Sequence, residues 1–172
     1  MKRLAWVMAA VLLSAAFHVL TVKAYPYYIM LKLARHAHGA LNTIRHDPRV
    51  SAQSRNVVRP SPDLLYSACG YNVSKWPLRV HAVIPKDTYW SVSMFAANTD
   101  NFFVMNDRKA GAPQVDLVLV RAGQEYKSTG NEIIVKSPTR RGVILFRLLI
   151  NDESRLNDLL QVQKQASCTS IP

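Results

Sequence analysis

The stretch LRVHAVIPKDTYWSVSMFAANTDNFFVMND, Leu78 to Asp107, decides the fold class. From Tyr89 its residues alternate: Trp90, Val92, Met94 and Ala96 point one way, Tyr89, Ser91, Ser93 and Phe95 the other. A period of two belongs to a strand with a buried face. Leu78, Val80, Ala82 and Ile84 likewise share a face, with Arg79 and His81 opposite. Pro85-Lys86-Asp87-Thr88 separates these strands. Proline fixes φ and cannot donate to a ladder, so a hairpin turn is expected there. Asn98-Thr99-Asp100-Asn101 predicts a second turn, because Asn and Asp bond nearby backbone and tolerate left-handed conformations. Phe102 to Asn106 resumes as a strand, and the whole reads as a β-meander.

Outward from this stretch the pattern continues. Asp63 to Tyr71 (DLLYSACGY) reads as the first strand, with Gly70 marking a bulge or a close backbone approach. Val115–Arg121, Glu132–Lys136 and Gly142–Ile150 are further strands. The last has Ile144, Phe146, Leu148 and Ile150 on one face and is mostly apolar on the other, which predicts a central position. Asn151-Asp152 supplies an N-cap for a closing helix that carries Leu156, Leu159 and Leu160. Seven short strands with turn signals predict a mainly β domain: an antiparallel β-sandwich or partly open barrel with one C-terminal helix.

An N-terminal transmembrane helix is expected before it. Leu4 to Val22 is a run of 19 residues without a formal charge. As a helix it covers about 29 Å, the thickness of bilayer hydrocarbon. Val22-Lys23-Ala24 fits a small-residue cleavage site, so a signal peptide competes. The length of the run, and Tyr25, Tyr27 and Tyr28 at the interface, favour an uncleaved anchor. Ile29 to Ile44 has apolar residues at helical spacing and reads as a helix lying at the membrane interface, with Gly39 weakening it. His36 and His38 are two apart and do not share a helix face, so they make no ligand pair. Asp47 to Pro62, with three prolines, reads as a linker. The resulting division is an anchor at 1–24, a basic juxtamembrane helix and linker at 25–57, and a β-domain at 58–172.

The chain of 172 residues carries 22 basic and 11 acidic side chains, a net charge of +11. Seven Lys or Arg against one acid fall between Lys23 and Arg59, beside the apolar run, where anionic lipid is the natural partner. No nucleic-acid-binding module is present, and no nucleic acid is expected as a partner. Two cysteines, Cys69 and Cys168, lie too far apart in sequence for an unaided zinc site. The export-like start favours a disulfide between them over two buried free thiols. That start also points to the bacterial inner membrane, crossed once, with the domain in the periplasm, although loop charges alone lean slightly the other way.

Pro60-Ser61-Pro62-Asp63-Leu64-Leu65-Tyr66-Ser67, Tyr89-Trp90-Ser91-Val92 and Asn98-Thr99-Asp100-Asn101-Phe102 together resemble a bacterial envelope family, the domain of unknown function numbered twelve fifty-four. The resemblance covers Val58 to the C-terminus. It implies a β-rich module at the cell envelope, which larger members follow with a second module. It also implies a protein partner supplying that second module in trans. It brings no reaction and no catalytic residues.

The residues themselves name no chemistry. There is no G-x-S-x-G, H-E-x-x-H or phosphate loop, and nothing calls for a metal or a cofactor. The reading therefore leans away from an enzyme. His81, the one histidine within 58–172, would need Asp100 or Asp107 beside it. A binding site is expected at the Asn98–Asp107 hairpin, drawing on Asn98, Asp100, Asn101, Tyr66 and His81, for a glycan or small ligand. The leading expectation remains a tethered domain that binds an envelope protein, signalled by an exposed apolar patch or an open sheet edge.

Overall fold

The computed structural model describes residues 2–36, 41–55, 59–128 and 130–172. In chain order they form helix α1 (Lys2–His36) and strands β1 (Ile44–His46), β2 (Leu64–Asn72), β3 (Leu78–Val83), β4 (Trp90–Ala96) and β5 (Asn101–Asn106). A short helix α2 (Asp107–Ala110) precedes β6 (Gln114–Arg121), β7 (Ile133–Ser137) and β8 (Arg141–Leu149). A 3-10 turn (Glu153–Arg155), helix α3 (Leu156–Lys164) and β9 (Ser167–Ser170) close the chain. Asp152 caps the 3-10 turn by accepting from the Ser154 N–H.

Two sheets face each other. The first has the order β1-β2-β8-β4-β5 and is antiparallel throughout; the second has the order β7-β6-β3-β9. Between them lie Leu65, Cys69 and Tyr71 from β2, Trp90, Val92 and Met94 from β4, and Ile144, Phe146 and Leu148 from β8, all buried. Leu78, Val80, Leu117 and Leu119 of the second sheet meet them at 0 % exposure, and Leu159 of α3 joins the cluster. β8 takes the central place its largely apolar faces predict.

Three expectations change. The Leu78–Asp107 stretch is not a meander. β3 pairs with β6 and β9 in the second sheet, while β4 pairs with β5 and β8 in the first. Pro85–Thr88 is therefore an arch between sheets. Alternation alone cannot separate strands that pair edge to edge from strands that face each other across a core. The arch is pinned by Thr88 Oγ1 donating to the Leu149 carbonyl at 2.8 Å and Asn151 Nδ2 to the Asp87 carbonyl at 2.7 Å. Secondly, the sandwich is not wholly antiparallel, since β6 and β7 run parallel. Parallel neighbours need a crossover. Here it returns over the outer face of the second sheet, where Val118 and Val120 are fully buried and Glu132 pairs with Arg79.

Thirdly, the helix expected at Ile29–Ile44 is a continuation of α1 that ends at His36, and Ile44 begins a strand instead, while the described residues of Asp47–Pro62 carry neither helix nor strand, as a linker should. α1 runs without a break through Pro26 to His36. Pro26, Ile29, Met30, Leu33 and Ala34 form one partly to fully buried stripe, while the helix before it is exposed. The stripe packs on β2 and β8. At Gly70 an added Cβ would touch the Ala34 carbonyl oxygen at 3.6 Å, which is the close approach expected there. Asn42, at φ 66°, turns the chain back; its side chain accepts from the Asn72 N–H at 2.6 Å and donates to the Asn72 carbonyl at 3.0 Å. β1 then joins the sheet edge. Three residues are too few to show a period. His38 and Gly39, and the expected boundary at Val57–Val58, fall outside the described residues.

Gly142 is the tightest point in the first sheet. A Cβ there would strike the Phe95 carbonyl oxygen and lie 2.5 Å from the Tyr71 hydroxyl. Tyr71 is fully buried, sits opposite Gly142 in register and shares a 2.8 Å hydrogen bond with Ser137 Oγ. Burial raises its pKa. Gly142→Ala should therefore lower stability by at least ~2 kcal/mol through overpacking against backbone. Urea titration of both proteins checks this, and an unchanged midpoint would contradict it.

Candidate functional site

The sequence-derived site residues are spread over the sandwich. Asn98, Asp100 and Asn101 hold the β4–β5 turn: Asn98 Nδ2 donates to the Asp100 carboxylate, and the Asp100 N–H returns to Asn98 Oδ1. Thr99 takes the left-handed conformation, at φ 73°. His81 is on the second sheet, with Nδ1 2.9 Å from Asp116 Oδ1, its cross-strand neighbour. It meets neither Asp100 nor Asp107. The Asp107 carboxylate instead accepts from the Trp90 N–H. Tyr66 is on the outer face of β2, where its hydroxyl accepts from the Ser61 N–H at 3.0 Å. Asn98, Asp100 and Asn101 thus come together, while Tyr66 and His81 do not join them.

The other end of β5 borders a cleft of about 710 Å³, lined by Asp87, Thr88, Tyr89, Asn106, Asp107 and Arg108 among others. From Asn106 a polar row crosses the outer face of the first sheet. Asn106 is opposite Ser91, Ser91 opposite Arg147, and Arg147 opposite Tyr66. Ser91 and Ser93 are fully buried although they point away from the core. Arg147 Nη2 donates to Ser93 Oγ at 3.0 Å. The next row is Ala68, Leu145, Ser93 and Val104, apolar but for the serine. The alternation of Ser91 and Ser93 is visible in the sequence. Their alignment with Arg147, more than fifty residues away, is not.

A second histidine also escaped the sequence reading, because the β-domain was expected to begin at 58. His46, in β1, has Nδ1 2.9 Å from Ser67 Oγ. Burial, then the nearby Lys164 charge, lowers its pKa. A serine beside a histidine has the form of a nucleophile and its base. Ser67, however, is 2 % exposed, and the adjoining void holds about 10 Å³, room for about one water. No substrate carbonyl fits there, and the pair is structural.

A family profile described as "Protein of unknown function (DUF1254)" matches residues 41–170. The chain belongs to this family. The profile takes in β1, as the structure does. No curated protein matches the chain. Among solved structures it is similar to the VPA0106 protein from Vibrio parahaemolyticus, at 14 % identity and a TM-score of 0.65, over 88 % of this chain and 38 % of that one. It is also similar to an uncharacterized protein from Burkholderia cenocepacia, at 12 % identity and a TM-score of 0.54, over 81 % and 37 %. These likenesses establish the fold. The chain spans under two fifths of either relative.

Cys69, on the inner face of β2, meets Cys168, on the inner face of β9, as two buried free thiols. Burial, reinforced by the neighbouring Cys69, raises the Cys168 pKa well above the ordinary thiol range. The pair lies between the sheets, at the point where β9 comes back to β3.

Proposed function

We propose that this family member is a single-pass inner-membrane protein. Its β-domain faces the periplasm and binds an envelope protein that carries the module found in larger relatives. The observation that carries the reading is the free edge of β5. Among the described residues β5 pairs with β4 alone and ends its sheet. Its sequence, NFFVMN, has no charge and no proline, and Val104 on its outer face is 46 % exposed. Natural sheets blunt such edges with lysine, proline or a cover, because an open edge templates another strand. Strand addition is therefore the recognition mode it fits.

The tether supports the reading. α1 is long and apolar enough to cross a membrane, and none of its spanning window is buried. The docking stripe begins at Pro26, four residues past Val22, or about 6 Å along the helix. That holds the β-domain against the headgroup layer, where the basic excess meets anionic lipid. The periplasmic assignment draws on the Cys69–Cys168 pair, which thiol–disulfide exchange with an exported oxidant would close. A second reading, a glycan or small-ligand site, draws on the Tyr89–Asn106–Asp107 cleft at the foot of the same hairpin.

Two results are expected. A photo-crosslinker in place of Val104 should give one discrete adduct in native membranes, and one in place of Thr169, exposed on the second sheet, should give none. Equal yields from both positions would contradict edge docking. Protein from membranes prepared with free thiols blocked should be lighter than the reduced chain by two hydrogens. Reduction should then cost roughly 4–5 kcal/mol, as expected for a loop of about a hundred residues. Two blocked thiols instead would contradict the periplasmic assignment.

A further inference from the structure

We propose that α1 pairs with α1 of a second copy of this chain, inserted in the same direction, through a polar seam along its membrane-spanning part. The inference rests on the single-pass membrane reading above and adds what the span does beyond anchoring. The hydroxyl and imidazole side chains of the Leu4–Val22 run are Ser14, His18 and Thr21. Steps of four and three residues put them on one face of the helix. Continued at the same steps, that face takes in Val11, Tyr25 and Tyr28, and all six side chains are exposed. Alternating steps of three and four average 3.5 residues, the repeat along which two helices wrap into a left-handed pair.

Bilayer hydrocarbon holds no water to satisfy such groups. The Thr21 hydroxyl is satisfied within the helix, donating to the Phe17 carbonyl at 2.9 Å. Ser14 and His18 have no protein partner among the described residues. With Arg3 and Lys23 at the two headgroup layers, Ser14 lies about 1.5 Å and His18 about 7.5 Å from the midpoint between them. Both are therefore inside a hydrocarbon layer about 30 Å thick. The β-domain does not supply what they lack, because α1 turns another side to it. Pro26, Met30, Leu33 and Ala34, on the stripe that packs on β2 and β8, lie about a third of a turn round the helix from Tyr25 and Tyr28. The seam stays free beside the docked domain, and none of the spanning window is buried.

The chemistry of the seam selects a second copy as its occupant. A hydroxyl both donates and accepts, and so does an imidazole in its neutral form, so each group complements its own kind. Two identical helices inserted in the same direction bring Ser14 to Ser14 and His18 to His18, each pair at one depth. That satisfies the unmet groups of both chains and leaves no new one. A helix of another sequence would have to carry matching groups at both depths. Ala10, one turn before Ser14, is small as Ser14 is, which lets the two backbones approach. Hydrogen bonds between Ser, Thr or His side chains are a recurrent link between membrane helices, and a polar residue in such a seam fixes its register.

The test uses the full chain in native membranes, with a photo-crosslinker in place of Val11, on the seam, or of Leu12, which faces away from it. Val11 should give a product of twice the chain's mass, and Leu12 none. His18→Leu should weaken pairing about tenfold, the size of a hydrogen-bonded contact between membrane helices. Leucine is the more apolar residue, so insertion does not suffer. His18→Gln, which keeps a donor and an acceptor, should retain most of the pairing. No product at Val11, a product there of any other mass, equal yields at the two positions, or full pairing in His18→Leu would overturn the inference. Extraction with alkaline carbonate separates its failure from that of the membrane reading. A chain that stays in the membrane without pairing is a lone anchor, and the seam alone falls. A chain that washes out contradicts the anchor, and the seam falls with it.

Discussion

The fold depends on one strand being apolar on its inner face and mostly apolar on its outer one. β8 buries Ile144, Phe146 and Leu148 against the second sheet, and it pairs along its length with β2 and β4. Those pairings set which residues of the neighbouring strands point inward. A one-residue slip would send the Trp90–Ala96 face to solvent. Gly142 fixes that register sterically, because only a residue without Cβ fits beneath Tyr71 and beside the Phe95 carbonyl.

The outer face of β8 creates the demand that the rest of the molecule answers. Near Val143, opposite Gly70, α1 lays down the Met30–Ala34 turn. The C-terminal end of α1 is thereby packed on the sheet. Pro26 removes one helical hydrogen bond, yet the helix continues, as its neighbours on the stripe are held by the sheet. Toward Leu145, Arg147 and β5 no helix follows among the described residues. Val104 is exposed there, while Ser91 and Ser93 are buried beside Arg147.

Much of this was legible in the sequence. Alternation located the strands of the core, and the largely apolar character of Gly142–Ile150, interrupted only by Arg147, placed β8 in the middle. Asp152 and the three leucines after it announced the closing helix. What stayed hidden was what two distant segments decide together. The partners of β3 lie beyond residue 113 and past α3, so its own pattern could not separate an arch from a hairpin. β1 and β9 are short strands whose existence depends on the edges they join. The parallel β6–β7 pair depends on the crossover. At the candidate site, Tyr66 was singled out from a motif, while its neighbour Arg147 became visible only through the register of β2 with β8. His46 was missed for the same reason as β1.

The central claim is that β5 is an edge left open by the chain itself and closed by a partner in the membrane. Hydrogen exchange read by mass spectrometry, on the detergent-purified chain and on the same chain in native membranes, tests it directly. Peptides from Asn101–Asn106 should exchange rapidly when purified and become protected in membranes, while Arg141–Leu149 is protected in both. Equal protection of β5 in the two preparations would mean that nothing closes that edge, and would contradict the account.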